Sequence, residues 1–324
     1  MMRRRALGSL IIGLTLAATS SPLWAEADVT LRIADQKGGM RAVLEAANQL
    51  QGLGYQIKWH EFPAAAPLAE ALNAGAVDAG IIGDAPLLFV LAQGAPVKAI
   101  AVDKYDPYGT ALLVRPDSPL TGAASLKGKT IATGRGSIGH FIALRALEQA
   151  GVAPTEVKWR FLAPADARIA LLNKDVDVWA TWEPYTTGLT GTGQGKVLVN
   201  GRGHIQGNTF LAATEDVLAD PRRRAALQDY LARLAKAENW ARDHTQAYGV
   251  TLSKLIGLPP AIATAQYESR NARWQRIDAA TITQQQQTAD YWLKQGMILK
   301  PLDVKPTFDA RFTLPGPGRV SEVR

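Results

Sequence analysis

Two carboxylates, Asp84 and Glu183, stand in matching surroundings in the two halves of the chain. Leu72-Asn73 and Val77-Asp78 precede the first; Leu172-Asn173 and Val176-Asp177 precede the second. Each acid comes six residues after the aspartate of its Val-Asp pair, and proline follows closely, in Gly83-Asp84-Ala85-Pro86 and in Trp182-Glu183-Pro184-Tyr185. A short strand after each Val-Asp pair would carry the acid to the strand's C-terminal end, where open α/β sheets bind ligands. Two similar lobes whose strand ends share one cleft are therefore expected. Whether the two acids form a catalytic pair is open at this point.

Two loops carry the opposite charge. Gln36-Lys37-Gly38-Gly39 and Arg135-Gly136-Ser137 each precede a run of helical composition. A helix N-terminus presents unpaired N–H groups and partial positive charge, and glycine lets a ligand approach the backbone. Two such ends facing across a cleft would clamp a small anion. A plain structural cap is the alternative for Ser137, and helix capping is the alternative for Asp84 and Glu183. Trp179 and Trp182 read either as cleft wall or as core.

Enzyme chemistry finds less support. Ser137 and His140 could meet on one helical turn, yet no Gly-x-Ser-x-Gly surrounds the serine. His60, His140, His204 and His244 are isolated, and neither a metal-binding histidine pattern nor a Walker loop occurs. Residues 134–139 fit Gly-x-Gly-x-x-Gly, but Glu156 and Asp166 do not sit where a dinucleotide site needs its acid. No cofactor, no metal and no catalytic residue are expected.

These residues need a scaffold. Strands are expected at 29–34, 55–60, 79–82 and 97–102, alternating with helices at 40–50, 67–74 and 86–93. The order repeats with strands at 129–132, 157–162, 177–180 and 196–199, and helices at 138–150, 164–172 and from Glu183 onward. An extended stretch at 108–114 crosses between the halves. After Asn208–Ala212 the chain turns helical, at 221–244, 253–258, 260–267 and 282–295. This alternation predicts mostly parallel sheets with helices on both faces.

The 324 residues suffice for two domains, and 47% hydrophobic with 20% charged residues is a globular composition. Arg3-Arg4-Arg5, the apolar run Ala6–Ala18 and the small residue Ala25 read as a secretory signal peptide, residues 1–25, cut after Ala25 or Ala27. With no cysteine there is no disulfide scaffold, thiolate metal site or lipid-bearing Cys, so the mature chain is expected free in the periplasm. The formal charge of +7 falls to +4 once the three arginines of that segment are removed. Arg222-Arg223-Arg224 reads as a solvated helix face, and no nucleic-acid partner is expected.

Seven short motifs occur in order: Gln36-Lys37-Gly38, Gly83-Asp84-Ala85-Pro86, Leu126-Lys127-Gly128-Lys129, Gly136-Ser137-Ile138-Gly139-His140, Pro164-Ala165-Asp166-Ala167-Arg168, Trp182-Glu183-Pro184-Tyr185 and Gln286-Gln287-Thr288-Ala289-Asp290. Over residues 28–310 the chain thereby resembles the periplasmic substrate-binding proteins of ABC importers for aliphatic sulfonates, relatives of the taurine and nitrate binders. The resemblance implies an α/β fold of the periplasmic binding protein type 2 kind, two α/β lobes joined by two crossing segments with the ligand between them. Lobe 1 would comprise 28–112 and 210–310, lobe 2 113–209, and 311–324 a disordered tail. It implies a non-enzymatic monomer that delivers a small organosulfonate to an ABC permease, with taurine, nitrate or another small solute as alternatives. The sulfonate would sit near Gln36, Lys37, Gly38, Gly136, Ser137 and His140, with Asp84, Trp182 and Glu183 lining the cleft. The chain departs from the family's pattern at Ile138-Gly139, where a further hydroxyl residue is common, and at Phe141, where a polar residue is usual.

Overall fold

The computed structural model describes residues 29–314; the signal segment expected at 1–25 and residues 315–324 lie outside these. The chain begins with β1 (Thr30–Gln36), α1 (Met40–Ala46), β2 (Gln56–Phe62), α2 (Ala65–Asn73), β3 (Ala79–Gly83), α3 (Asp84–Ala92) and β4 (Val97–Lys104). It crosses into β5 (Ala111–Val114), β6 (Thr130–Thr133), α4 (Ile138–Gln149), β7 (Lys158–Phe161), α5 (Pro164–Leu172), β8 (Val178–Thr181), α6 (Tyr185–Thr190) and β9 (Lys196–Asn200). It returns through β10 (Asn208–Thr214), then α7 (Glu215–Ala219), α8 (Pro221–Asp243), α9 (Thr245–Ile256), α10 (Pro260–Arg270), β11 (Arg273–Gln275) and α11 (Ala279–Lys294). One sheet has the order β11-β4-β10-β3-β1-β2 and the other β7-β6-β8-β5-β9.

In both sheets the parallel βαβ pattern is interrupted by a strand that arrives from the other lobe. β10 lies antiparallel between β3 and β4, and β5 lies antiparallel between β8 and β9. Both are almost wholly buried, so neither shows the polar–apolar alternation that marks a half-exposed strand. The expected lobe boundaries at 112/113 and 209/210 fall inside these two strands.

The doubled Val-Asp pattern has a structural meaning. The Asp78 carboxylate accepts the backbone N–H of Arg32, and the Asp177 carboxylate accepts that of Thr130. The N–H of each aspartate donates back to the carbonyl of the same partner residue. Each pair thus pins one strand to its parallel neighbour, the start of β3 to β1 and the start of β8 to β6. Asp78, fully buried, also takes the guanidinium groups of Arg32 and Arg223, which compensate its charge.

Residues 105–110 and 201–207 form the two crossings and run side by side. Tyr105 donates its N–H to the Gly207 carbonyl at 2.9 Å. A Cβ on Gly207, whose φ is +69°, would overlap the Tyr105 carbonyl oxygen, and one on Gly201 would overlap that of Pro107. The Arg202 guanidinium grips both oxygens of Asp106 and lies over the Tyr108 ring.

The C-terminal helix does not belong to lobe 1 alone. Trp292 of α11 is fully buried; it packs on Phe89 of α3 and Phe141 of α4 and donates to the Ala85 carbonyl. Lys294 pairs with Glu148 of α4. The tail expected from 311 is ordered at its start, since Phe312 is buried and Thr313 exchanges two hydrogen bonds with Gln228 of α8.

Gly207→Ala should be costly, because the substitution meets both a left-handed backbone and a carbonyl with no room to move. A loss of at least about 2 kcal/mol is expected in chemical denaturation. Gly203→Ala, with φ +77° and nothing within 4 Å, should lose only about 1 kcal/mol. Equal losses in the two variants would refute the close approach.

Candidate functional site

The strand ends of the two sheets face a cleft of about 130 Å³. A cavity of roughly 150 Å³ admits benzene, so this space suits a small organic molecule rather than a packing defect. Of the residues read from sequence, Gln36, Lys37, Gly38, Ser137, Trp182 and Glu183 line it. The remaining three, Asp84, Gly136 and His140, lie behind the wall, because each serves the backbone instead.

Asp84 is the first residue of α3, only 1% exposed, and its carboxylate accepts the N–H of Ala85. Burial pushes its pKa up to about 7, against the lesser effect of that bond. Gly136 is a left-handed turn, φ +70°, packed against the Phe89 ring. His140 faces inward from α4 and accepts the Gly136 N–H at Nδ1, 3.2 Å away. The Ser137 side chain accepts the His140 backbone N–H at 3.2 Å. Ser137 and His140 therefore meet backbone to side chain, with Nδ1 already engaged, so the arrangement is a cap and not a nucleophile–base pair. Arg135 points away from the cleft, its guanidinium 3.9 Å from the centre of the Phe161 ring.

The two glycine-bearing loops do not make equivalent anion sites. At the first, one Asp35 oxygen accepts the N–H groups of Gln36 and Met40 and the other accepts that of Arg41. The start of α1 thus already holds a carboxylate, whose pKa burial nonetheless pushes up to about 6. At the second, Ser137 caps only His140, and the N–H groups of Ile138 and Gly139 have no partner within the described residues. This end of α4 opens on the cleft through Ser137 and Ile138.

Glu183 is held by Thr187, whose hydroxyl and N–H both donate to its carboxylate. The carboxylate lies over Gly109 of the first crossing, where any Cβ would displace it. Burial raises its pKa to about 7, opposed by those two bonds and by Arg270. Trp182 is the cleft wall, edge-on to Tyr185, whereas Trp179 is 1% exposed and packs in the core of its lobe.

Sequence reading missed Arg270, the last residue of α10. It lines the inner end of the cleft, bonded to Asp103 at 3.2 Å and lying over the Tyr105 ring. Thr110, Thr209 and Gln266 line the same end, and Pro63, Ile81, Leu252 and Ile256 add an apolar wall. Those four polar positions sit on the first crossing, on β10 and on α10, far from any motif; Arg270 followed by Asn271 marks only a helix end.

The buried acids have a consequence for stability. Asp84 releases its proton near pH 4 when unfolded and near 7 when folded, so the folded state binds an extra proton between these values. Its contribution to stability therefore declines as pH rises through that window, by up to about 1.4 kcal/mol per pH unit. Asp84→Asn should flatten that part of the profile in urea titrations at pH 5, 6, 7 and 8; an unchanged slope would show that Asp84 is ionised in the fold.

The comparisons with known proteins agree with this architecture. Residues 41–252 match a family model described as an ABC transporter, phosphonate, periplasmic substrate-binding protein. An Escherichia coli (strain K12) relative named for binding aliphatic sulfonates is 35% identical over 294 residues, covering 90% of each chain. The alkanesulfonate-binding protein SsuA from Xanthomonas axonopodis pv. citri, bound to MOPS, superposes with a TM-score of 0.81 at 32% identity, over 87% of this chain and 98% of that one. SsuA from Escherichia coli gives 0.77 at 33% identity, over 87% and 97%. A shared fold, near-complete coverage and the placement of the cleft between two exchanged-strand lobes make this chain a member of the periplasmic substrate-binding family of ABC transporters that contains the aliphatic sulfonate binders.

Proposed function

We propose that the cleft binds an alkanesulfonate and that the protein delivers it to an ABC permease. The observation that carries this reading is the open N-terminus of α4 on the same cleft as Lys37, Arg270 and an apolar wall. Unpaired N–H groups and two cations suit a compact anion. Ile81, Leu252, Ile256 and Trp182 suit the alkyl chain, and nitrate has nothing to place against them.

An amine on the ligand is not favoured. Two cleft carboxylates would have called for an ammonium group, but Asp84 lies behind the wall. Of the carboxylates that do line the cleft, Asp106 is paired with Arg202, and Glu183, with its pKa near 7, is half neutral around neutral pH. Taurine is the weaker candidate for that reason. A catalytic role has no support in the Ser137–His140 geometry. The protein acts as a monomer, exported to the periplasm through residues 1–25. Among the described residues no helix is long and apolar enough to cross a membrane.

A thermal-shift panel of alkanesulfonates, taurine and nitrate tests the assignment. At a hundredfold excess over Kd an alkanesulfonate should stabilise by about 2.7 kcal/mol, several degrees in Tm. A shift with taurine or nitrate and none with any alkanesulfonate would replace the assignment.

Calorimetry across pH tests the electrostatics. Affinity should weaken by up to about tenfold from pH 6 to 8 as Glu183 ionises beside the anion. Glu183→Gln should remove that dependence; a parallel pH slope in the variant would place its cause elsewhere.

A further inference from the structure

We infer that His140 is a positioning residue of the anion loop, acting through Gly136 without touching the ligand. The inference deepens the proposed function, on which it rests only for the identity of the anion. Gly136 must hold φ +70° for the chain to turn from β6 into α4, and the Phe89 ring leaves no room there for a side chain. Its N–H is buried and has one acceptor, Nδ1 of His140. Without that acceptor the buried N–H would be unsatisfied, a cost comparable to a tenfold change in an equilibrium.

The imidazole is built to remain in that role. Its ring lies edge-on to Trp159 and Phe161 at 4.9 and 5.3 Å between centroids, and Trp292 approaches it to 5.8 Å. Burial first, and Arg135 second, depress its pKa to about 4, so Nδ1 carries no proton at neutral pH and stays an acceptor. The Nε2–H tautomer follows from that bond. One turn of backbone is then fixed from two sides: Nδ1 takes the Gly136 N–H, and the Ser137 hydroxyl takes the His140 N–H. What is left unpaired among the described residues is the pair of N–H groups at Ile138 and Gly139, at the end of α4 that meets the cleft through Ser137 and Ile138.

The clamp also joins three elements. Phe89 of α3 presses on Gly136, and Trp292 of α11 touches both Phe89 and the His140 ring. The loop that meets the anion is thereby backed by lobe 1 and by the C-terminal helix as well as by its own lobe.

Three measurements decide the matter. In the unliganded wild type, nitrogen chemical shifts should show His140 protonated at Nε2 and bare at Nδ1; a proton on Nδ1 would overturn the inference without any variant. His140→Asn places an acceptor oxygen at the Nδ1 position, whereas His140→Phe keeps a ring and removes the acceptor. Gly136 amide exchange should stay slow in His140→Asn and accelerate at least about tenfold in His140→Phe. Affinity for whichever alkanesulfonate binds should fall about tenfold in His140→Phe and stay within about twofold in His140→Asn. Wild-type exchange and affinity in His140→Phe would sink the positioning role. If no sulfonate binds the wild type, the proposed function fails, and the tautomer and exchange arms still judge His140 independently.

Discussion

The close approach of the two crossing segments is the constraint from which the cleft follows. Tyr105 and Gly207 share a hydrogen bond between their backbones, and Gly201 and Gly207 fit against carbonyls that would exclude any side chain. Because the segments touch, the strands they feed can enter the opposite sheets, β5 beside β8 and β10 beside β3. The same residues supply the inner end of the cleft, where Tyr105, Asp106, Gly109 and Thr110 lie. Arg270 is fastened there twice, by its carbonyl accepting the Asp106 N–H and by its guanidinium over the Tyr105 ring. The cation that lines the cleft is thus tied to the joint between the lobes. Trp292 of α11 makes a second connection, packing on both Phe89 of α3 and Phe141 of α4.

Much of this was legible in the sequence, and the gaps have physical causes. The lobes could be read because amphipathic helices alternate with short apolar strands, and because the Val-Asp pair recurs where each lobe pins one strand to its parallel neighbour. The first exchanged strand is legible only as part of the extended stretch 108–114, and the second not as a strand at all, because burial on both faces removes their period and their pairing is set by segments distant in sequence. Gln36, Lys37 and Ser137, on strand-to-helix turns that line the cleft, are legible by type; Arg270, Thr209 and Gln266, which line it too, are not, since only the folded chain brings α10 and β10 to the strand ends. Asp84 and His140 were identified as important yet misplaced. A residue type next to a glycine turn shows that something must satisfy the backbone there, but not whether the side chain faces the ligand or the loop.

The two helix starts differ in how much of their backbone is already satisfied. Both follow a strand and a glycine-bearing loop, and both would attract negative charge. At α1 the protein supplies that charge itself through Asp35, which consumes the free N–H groups. At α4 the cap is a neutral hydroxyl and the second support is a neutral imidazole, so the backbone is ordered while its positive end stays uncompensated. Burial does the same at the inner end. Asp103 and Glu238, packed with Arg270, are both shifted upward chiefly by loss of solvent, which weakens their claim on the guanidinium. Glu183 is shifted in the same direction by the same cause. Burial therefore disfavours the ionised form of Glu183, whereas the Arg270 charge persists to high pH. The charge balance of the cleft lining thus depends on the burial of Glu183 and on which helix end is already occupied, beside the basic groups of Lys37 and Arg270.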